Sequence, residues 1–380
     1  MAVVFGLTGC SASHHPVAKR PVVPSLKVKY LFLVSARTGK PLRDVSYLPA
    51  SAEVTDGRGG WFVGLWAAAT KNSWGGGTPI VRSGIVHMRH DGSLDRQWGT
   101  PQSRSIAVCR LERAGSRLYT LSPGPGSTYS SRVAVQAFDA ATGRLLWTVP
   151  VTPHNRSGAC PTYAFAASSK RVYLAGDFSA VRGALRSSAA LDAQTGGLLD
   201  WRIPRLRYFM MRGYVTALAT AGARLYVAGV FSSVGGQPRH ALAALNARTG
   251  SLLPWKARLG DQRIDTIFVN GHDVYVSGRD GFWAFDAGSG QPTNPGWSTR
   301  MNGLPAAFAR EGALLYLGGS PPAAIDSVGG QRRNNLASFN VVTGQFTNWA
   351  PNLAPYVSVG RIVPSGDAVL IGCGCENTIG

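Results

Sequence analysis

A short turn signature recurs seven times along the chain, and its spacing dictates a repeat fold. It reads Ser35-Ala36-Arg37-Thr38-Gly39, His90-Asp91-Gly92, Asp139-Ala140-Ala141-Thr142-Gly143 and Asp192-Ala193-Gln194-Thr195-Gly196. It continues as Asn246-Ala247-Arg248-Thr249-Gly250, Asp286-Ala287-Gly288-Ser289-Gly290 and Asn340-Val341-Val342-Thr343-Gly344. Successive glycines lie 53, 51, 53, 54, 40 and 54 residues apart. Each such unit is too small to bury a hydrophobic face alone, and a period of about 40–50 residues is that of propeller blades.

The repeat around Thr249-Gly250 serves as a template. Val215–Thr220 and Arg224–Gly229 flank a tight turn, and a longer loop leads to His240–Leu245. The Thr249-Gly250 turn then reverses the chain into Ser251–Trp255. Four short antiparallel strands per repeat make one blade. The outer segment ends in tryptophan again and again, at Trp98, Trp147, Trp201, Trp255, Trp297 and Trp349. Such a large apolar anchor is expected to dock one blade on the next.

Beyond Gly344 the chain holds the end of one blade and two further strands, 356–363 and 368–373. The amino-terminal strands 30–35 and 40–45 supply the other two. The expected fold is therefore all-β, a single seven-bladed β-propeller. Its last blade is shared by the two chain ends, which leaves no free edge strand. The expected organisation is a flexible tether over residues 1–27 and the propeller over 28–380.

Composition sets limits on the partner. The 380 residues are 44% hydrophobic, enough for a large core, and carry a formal charge of +20. Only seven of the 39 basic residues are lysine. Arginine dominance follows from biased codon usage as readily as from attraction to an anionic partner, so the distribution of charge must decide. No 18-residue apolar run is present to span a membrane.

The amino terminus adds a location. Leu7-Thr8-Gly9-Cys10 follows a short apolar stretch and resembles the bacterial lipobox, in which Cys10 becomes lipidated. A Pro-rich basic stretch then forms the tether. This makes the expected location extracytoplasmic, with a membrane contact through the lipid anchor. Export permits disulfides. Cys109 and Cys160 fall at the innermost strands of adjacent blades, where either a disulfide or two buried thiols would fit. Cys373 and Cys375 form a lone C-x-C without a histidine at zinc-site spacing, so no metal is expected.

Two segments resemble known propeller repeats. Ala137–Trp147 looks like the tryptophan-docking repeat of pyrroloquinoline-quinone-type propellers. Leu225–Arg239 with Leu242–Gly250 is similar to the delta-60 repeat of bacterial surface and secreted proteins, and 172–178 and 327–334 repeat parts of it. The resemblance implies a fold rather than an activity. Quinone enzymes of that type have eight blades, a calcium site and adjacent cysteines. This sequence reads as seven blades with no adjacent cysteines, so no cofactor is expected.

Propeller topology assigns the loops to two faces. One collects Asp56, Asp91, Glu112, Asp139, Asp192, Asp273, Asp286, Glu311 and Asp367. The other collects arginines with few acids, and the candidate anion-binding set is Arg104, Arg156, Arg205, Arg207, Arg239, Arg258, Arg263 and Arg300. Arginine suits bidentate capture of carboxylate or phosphate. The run 207–212, Arg-Tyr-Phe-Met-Met-Arg, is expected to pack over a blade junction. No nucleophile elbow, metalloprotease helix or phosphate loop is present, so no catalytic residue is assigned. The expected function is a non-enzymatic binding or scaffold propeller, a monomer at the cell envelope. It would engage an envelope protein or an anionic polymer, with no specific nucleic acid. The alternatives are a lyase or hydrolase working at the channel mouth, and an assembly factor for other envelope proteins.

Overall fold

The computed structural model describes residues 31–45, 50–65, 84–99, 108–123, 133–153, 163–176, 178–185, 187–293, 301–320, 324–351 and 358–373. Cys10, Arg104, Arg156, Cys160, Trp297, Arg300 and Cys375 lie outside the described residues. The described residues form small antiparallel sheets, and no helix occurs among them.

Six of the seven recurring turns share one construction; in the other, at His90-Asp91-Gly92, the glycine N–H instead reaches Arg89 O. The first residue accepts from the turn behind it: Asp192 Oδ1 takes the Thr195 N–H at 2.8 Å and the Thr195 hydroxyl at 3.0 Å. The closing glycine N–H returns to the first carbonyl, as Gly196 does to Asp192 at 2.9 Å. That glycine sits at positive φ in all seven, from 68° to 78°. This explains the fixed glycine, because an L side chain there meets its own carbonyl.

These turns are also where blades meet. Trp98 Nε1 donates to Ala140 O at 2.8 Å, Trp147 to Ala193 O at 3.2 Å and Trp255 to Asp286 O at 3.0 Å. Tyr119, Tyr173 and Tyr226 donate their hydroxyls to Ala193, Ala247 and Ala287 in the same fashion. These blades thus hydrogen-bond to the turn of their successors while their rings fill the interval between sheets, with Tyr173 and Trp201 5.2 Å apart edge to face. The last tryptophan, Trp349, donates to Ser35 O, the first turn of the chain, at 2.9 Å.

A Cβ at Gly250 would stand 2.4 Å from Arg202 O, where φ is +78°. Gly250→Ala therefore combines left-handed strain with a backbone clash across the junction. The expected loss is about 2–4 kcal/mol, read as a fall in the urea midpoint at unchanged slope.

The chain ends share a sheet. Leu31–Ser35 pairs antiparallel with Ala368–Cys373, with Leu31 opposite Gly372 and Ser35 opposite Ala368. The sheet order runs Pro41–Asp44, Leu31–Ser35, Ala368–Cys373, Val359–Ser365. The innermost strands follow one another around an axis. Ala50–Thr55 lies beside Arg110–Ala114, and Tyr163–Ala167, Tyr214–Ala221, Ile264–Asn270, Pro305–Glu311 and Val359–Ser365 continue the series. The last of these lies beside Ala50–Thr55 again.

One expectation needs correction. A fourth strand per blade is not general: in four repeats the outer segment shrinks to a single bridge, Met88 with Leu94, Leu191 with Leu198, Leu245 with Leu252 and Phe285 with Pro292. Proline at 254 and 292 supplies no N–H to continue the ladder. The opposite occurs at Leu145–Pro153, nine residues long, which carries its sheet onward to Phe178–Val181 and Ala184–Leu185.

Candidate functional site

Two places combine accessible space with chemistry: the central channel and the rim carrying the interblade connections.

The channel encloses about 570 Å³ and is walled by the innermost strands of the series. Arg110 and Glu112, two apart in one strand, share its inner face. Glu53 and Arg361 come from the next two strands along that wall, Ala50–Thr55 and Val359–Ser365. Arg361 Nε stands 3.5 Å from Glu53 Oε2. Glu53 is only 4% exposed, and its Oε2 has no hydrogen bond. Burial raises the Glu53 carboxyl to about 7, although the Arg361 charge pulls the other way. Burial likewise raises Glu112 to about 7 against the charges of Arg361 and Arg110. The channel walls surround Glu112 while leaving part of it in contact with the lumen. Burial and the neighbouring Arg361 push Arg110 down to about 10, with Glu112 opposing. One Arg110 N–H is committed to Cys109 O at 2.9 Å.

Sequence reasoning placed Glu112 among the turn acids of one face. The Arg110–Ala114 strand instead sets it mid-strand in the channel, because the turn begins only at Gly115. Neither Glu53 nor Arg361 was singled out. They sit on different repeats one strand position apart, a meeting that only the assembled fold displays.

On the rim, Leu206–Tyr208 and Met211–Arg212 form a small hairpin that pairs with Ser233–Val234 and so stands off the blade below. Phe209 takes positive φ at its tip. The run does not cover a blade junction: Phe209 is 64% exposed, Met210 96%, Met211 65% and Tyr214 48%. The tip residues have no larger body to fold onto, so the apolar side chains point to solvent. Arg205, Arg207 and Arg212 flank the tip, exposed and without an ion pair among the described residues. Arg263 joins it through Tyr214 OH at 3.3 Å and is itself held by Asp265 at 2.5 Å. Arg258 is exposed nearby in sequence.

Arg239 departs from its expected role. It is 7% exposed, and its guanidinium donates to Pro238 O at 2.8 Å and Leu253 O at 2.9 Å. Arg333 repeats the arrangement with Arg332 O and Thr347 O. Both tie a rim loop to the outer segment, so Arg239 leaves the candidate anion set.

The histidines serve the framework. His87 lies between Asp56 at 3.0 Å and Asp95 at 3.2 Å and stacks on Phe62. Burial works against the charge on Asp56, but the His87 hydrogen bond and the Arg58 and Gly60 N–H groups outweigh it and hold its carboxyl below the usual range. His240 Nδ1 pairs with Asp261 at 2.5 Å on the rim. No serine or cysteine bonds its other ring nitrogen among the described residues. No three His, Cys, Asp or Glu side chains converge as a metal site among those residues. Cys109 is disulfide-bonded.

No curated protein matches the chain. Among solved structures, the extracellular domain assigned to a hybrid two-component system of B. thetaiotaomicron aligns at 11% identity over 91% of this chain and 39% of that one, with a TM-score of 0.50. The Pan2 WD40 domain of Neurospora crassa aligns at 12% identity over 93% and 98%, TM-score 0.49. BamB from Moraxella catarrhalis aligns at 12% identity over 87% and 86%, TM-score 0.44. A family model, described as outer membrane protein assembly factor BamB, matches residues 131–359, more than half of the chain. With its tryptophan-docked β-propeller repeats, the chain belongs to that PQQ-like propeller family.

Proposed function

We propose that the chain is an extracytoplasmic envelope protein, a closed seven-bladed propeller that works by binding an acidic partner protein on its arginine-bearing rim. Closure is supported by the pairing of Leu31–Ser35 with Ala368–Cys373 and by the Trp349 bond to Ser35. Location is supported by the family description and by the lipobox at Cys10, which would tether the domain to a membrane. The family description also supports the narrower reading of an assembly factor acting on other envelope proteins.

One observation carries the binding role. Of the large apolar side chains exposed among the described residues, Phe209, Met210 and Met211 gather on a single hairpin, and Tyr214 follows it at the start of the next strand. Exposed apolar groups this concentrated mark a contact surface. Aromatic, methionine and arginine side chains are those enriched at interfaces. The three unpaired arginines beside the tip select an acidic partner and steer its approach. Photo-crosslinking from position 210 in envelope extracts is expected to yield an adduct with an identifiable extracytoplasmic protein. The R205E/R207E/R212E variant should cut that adduct roughly tenfold while its thermal melt stays unchanged. An adduct insensitive to those reversals, or one formed with lipid alone, overturns the reading.

A further inference from the structure

The channel cluster has no task in that rim-binding reading, and its chemistry is unbalanced. Seven charged side chains line the lumen: Glu53, Glu112, Asp265, Arg110, Arg113, Arg310 and Arg361. Two of these are already satisfied. Asp265 is held by Arg263 at 2.5 Å, and Arg310 by Asp273 at 2.5 Å. That leaves two carboxyls facing three guanidiniums. Only one contact joins them among the described residues, the 3.5 Å approach of Arg361 to Glu53. Arg110 and Arg361 lie close enough to repel. Glu53 Oε2 is buried on the channel wall with no hydrogen-bond donor. Buried polar atoms are nearly always paired, and two like charges held together in a confined space attract a counter-ion.

We propose that the channel is a binding site for a small anion of the carboxylate or phosphate class, gripped by the guanidiniums of Arg110 and Arg361, with Glu53 as a third contact. The guanidinium fork fits either oxyanion with paired N–H donors. The cavity of about 570 Å³ admits a ligand of metabolite size, in the range of small-molecule sites. Glu53 completes the site as a donor rather than an acceptor. A neutral carboxyl offers an O–H to the anion, and the Oε2 that meets only the Arg361 charge gains a hydrogen bond. Burial already moves both channel glutamates toward that neutral form near pH 7. An incoming negative charge moves them further, so binding takes up protons. Asp265, Arg113 and Arg310 also face the lumen, and none of them reverses this sign: Asp265 is ion-paired and the arginines stay charged.

Isothermal titration of the full chain with inorganic phosphate and with succinate tests the site. A single site is expected for at least one of the two anions. For succinate, already largely a dianion at pH 6, the affinity should be about tenfold weaker near pH 8 than near pH 6. At an intermediate pH the heat should vary with the ionisation enthalpy of the buffer in the direction of proton uptake. R361Q should weaken binding at least about tenfold, and R110Q provides the same loss should R361Q fail to fold. The rim variant R205E/R207E/R212E should bind as the parent does, so failure here is distinguishable from failure of the partner-binding reading. Absence of binding by both anions overturns the proposal. So does preferential binding of methylguanidinium with proton release, which would make the glutamates a cation site.

Discussion

Removing the Leu31–Asp44 hairpin is expected to abolish cooperative folding of the remaining chain. Leu31, Phe32, Leu33 and Val34 are all buried, at 0–3% exposure. Each contributes about 1.5–3 kcal/mol by leaving water, so together they account for about 6–12 kcal/mol. That is of the same order as the total stability of a folded domain, about 5–15 kcal/mol. The deletion also strips Ala368–Cys373 of its partner and turns a paired strand into an edge with unpaired N–H and C=O groups. The Trp349 indole loses its acceptor at Ser35. Circular dichroism melting and gel filtration should report a broad transition and aggregation. A synthetic peptide of residues 30–45 should restore a sharp melt by strand addition in trans. A deleted chain that melts within a few degrees of the parent, without peptide, would mean that the ring does not depend on the shared sheet.

What the sequence made legible is whatever recurs. The turn glycines, the docking tryptophans and the pairing of the chain ends each repeat a pattern or complete one, and a repeat fold writes its framework several times over. The Trp98, Trp147, Trp255 and Trp349 bonds to turn carbonyls follow directly from that reading. The outer strands were overcounted because Ser251–Trp255 and its equivalents are extended enough to look like strands. A proline or a short segment leaves them with one bridge.

Sites are a different matter, because they are what does not repeat. Glu53, Glu112, Arg110 and Arg361 occur once each on three separate blades, and nothing local marks them as neighbours. Arg239 looked like its exposed rim companions, yet it lies folded against Leu253 O. The 207–212 run was misread for a related reason. Its apolar content suggests burial, but a hairpin this short has no second layer to cover it. Apolar pattern gives the inside of an element only when the element has an inside.

The channel glutamates also impose a pH dependence of unusual sign. Glu53 and Glu112 each titrate near 7 in the folded chain, against an ordinary 4.5. Between those values the folded state holds protons that the unfolded state has released, so stability falls as pH rises from about 4.5 to 7 and then levels off. Each group accounts for about 3 kcal/mol across that window. The turn aspartates act oppositely. Asp139, Asp192 and Asp286 are held below the ordinary 3.8 by hydrogen bonds from their own turns. Asp56 and Asp95 are lowered too: burial opposes the shift in each, but the His87 hydrogen bond together with backbone N–H donors and nearby positive charge outweighs it. Their contribution is full above about 3.8 and is lost as pH falls through the depressed values. The two trends leave a stability maximum near pH 4–5, on the acid side of neutrality. Unfolding free energies from urea titrations near pH 5 and pH 8 should therefore differ by several kcal/mol in favour of the lower pH, with the midpoint higher at pH 5. In E53Q/E112Q, where neither carboxyl can ionise, that difference should collapse and the chain should gain stability at pH 8. Equal midpoints at both pH values in the parent would place the two glutamates in contact with bulk water and remove the desolvation on which their shifted titration rests.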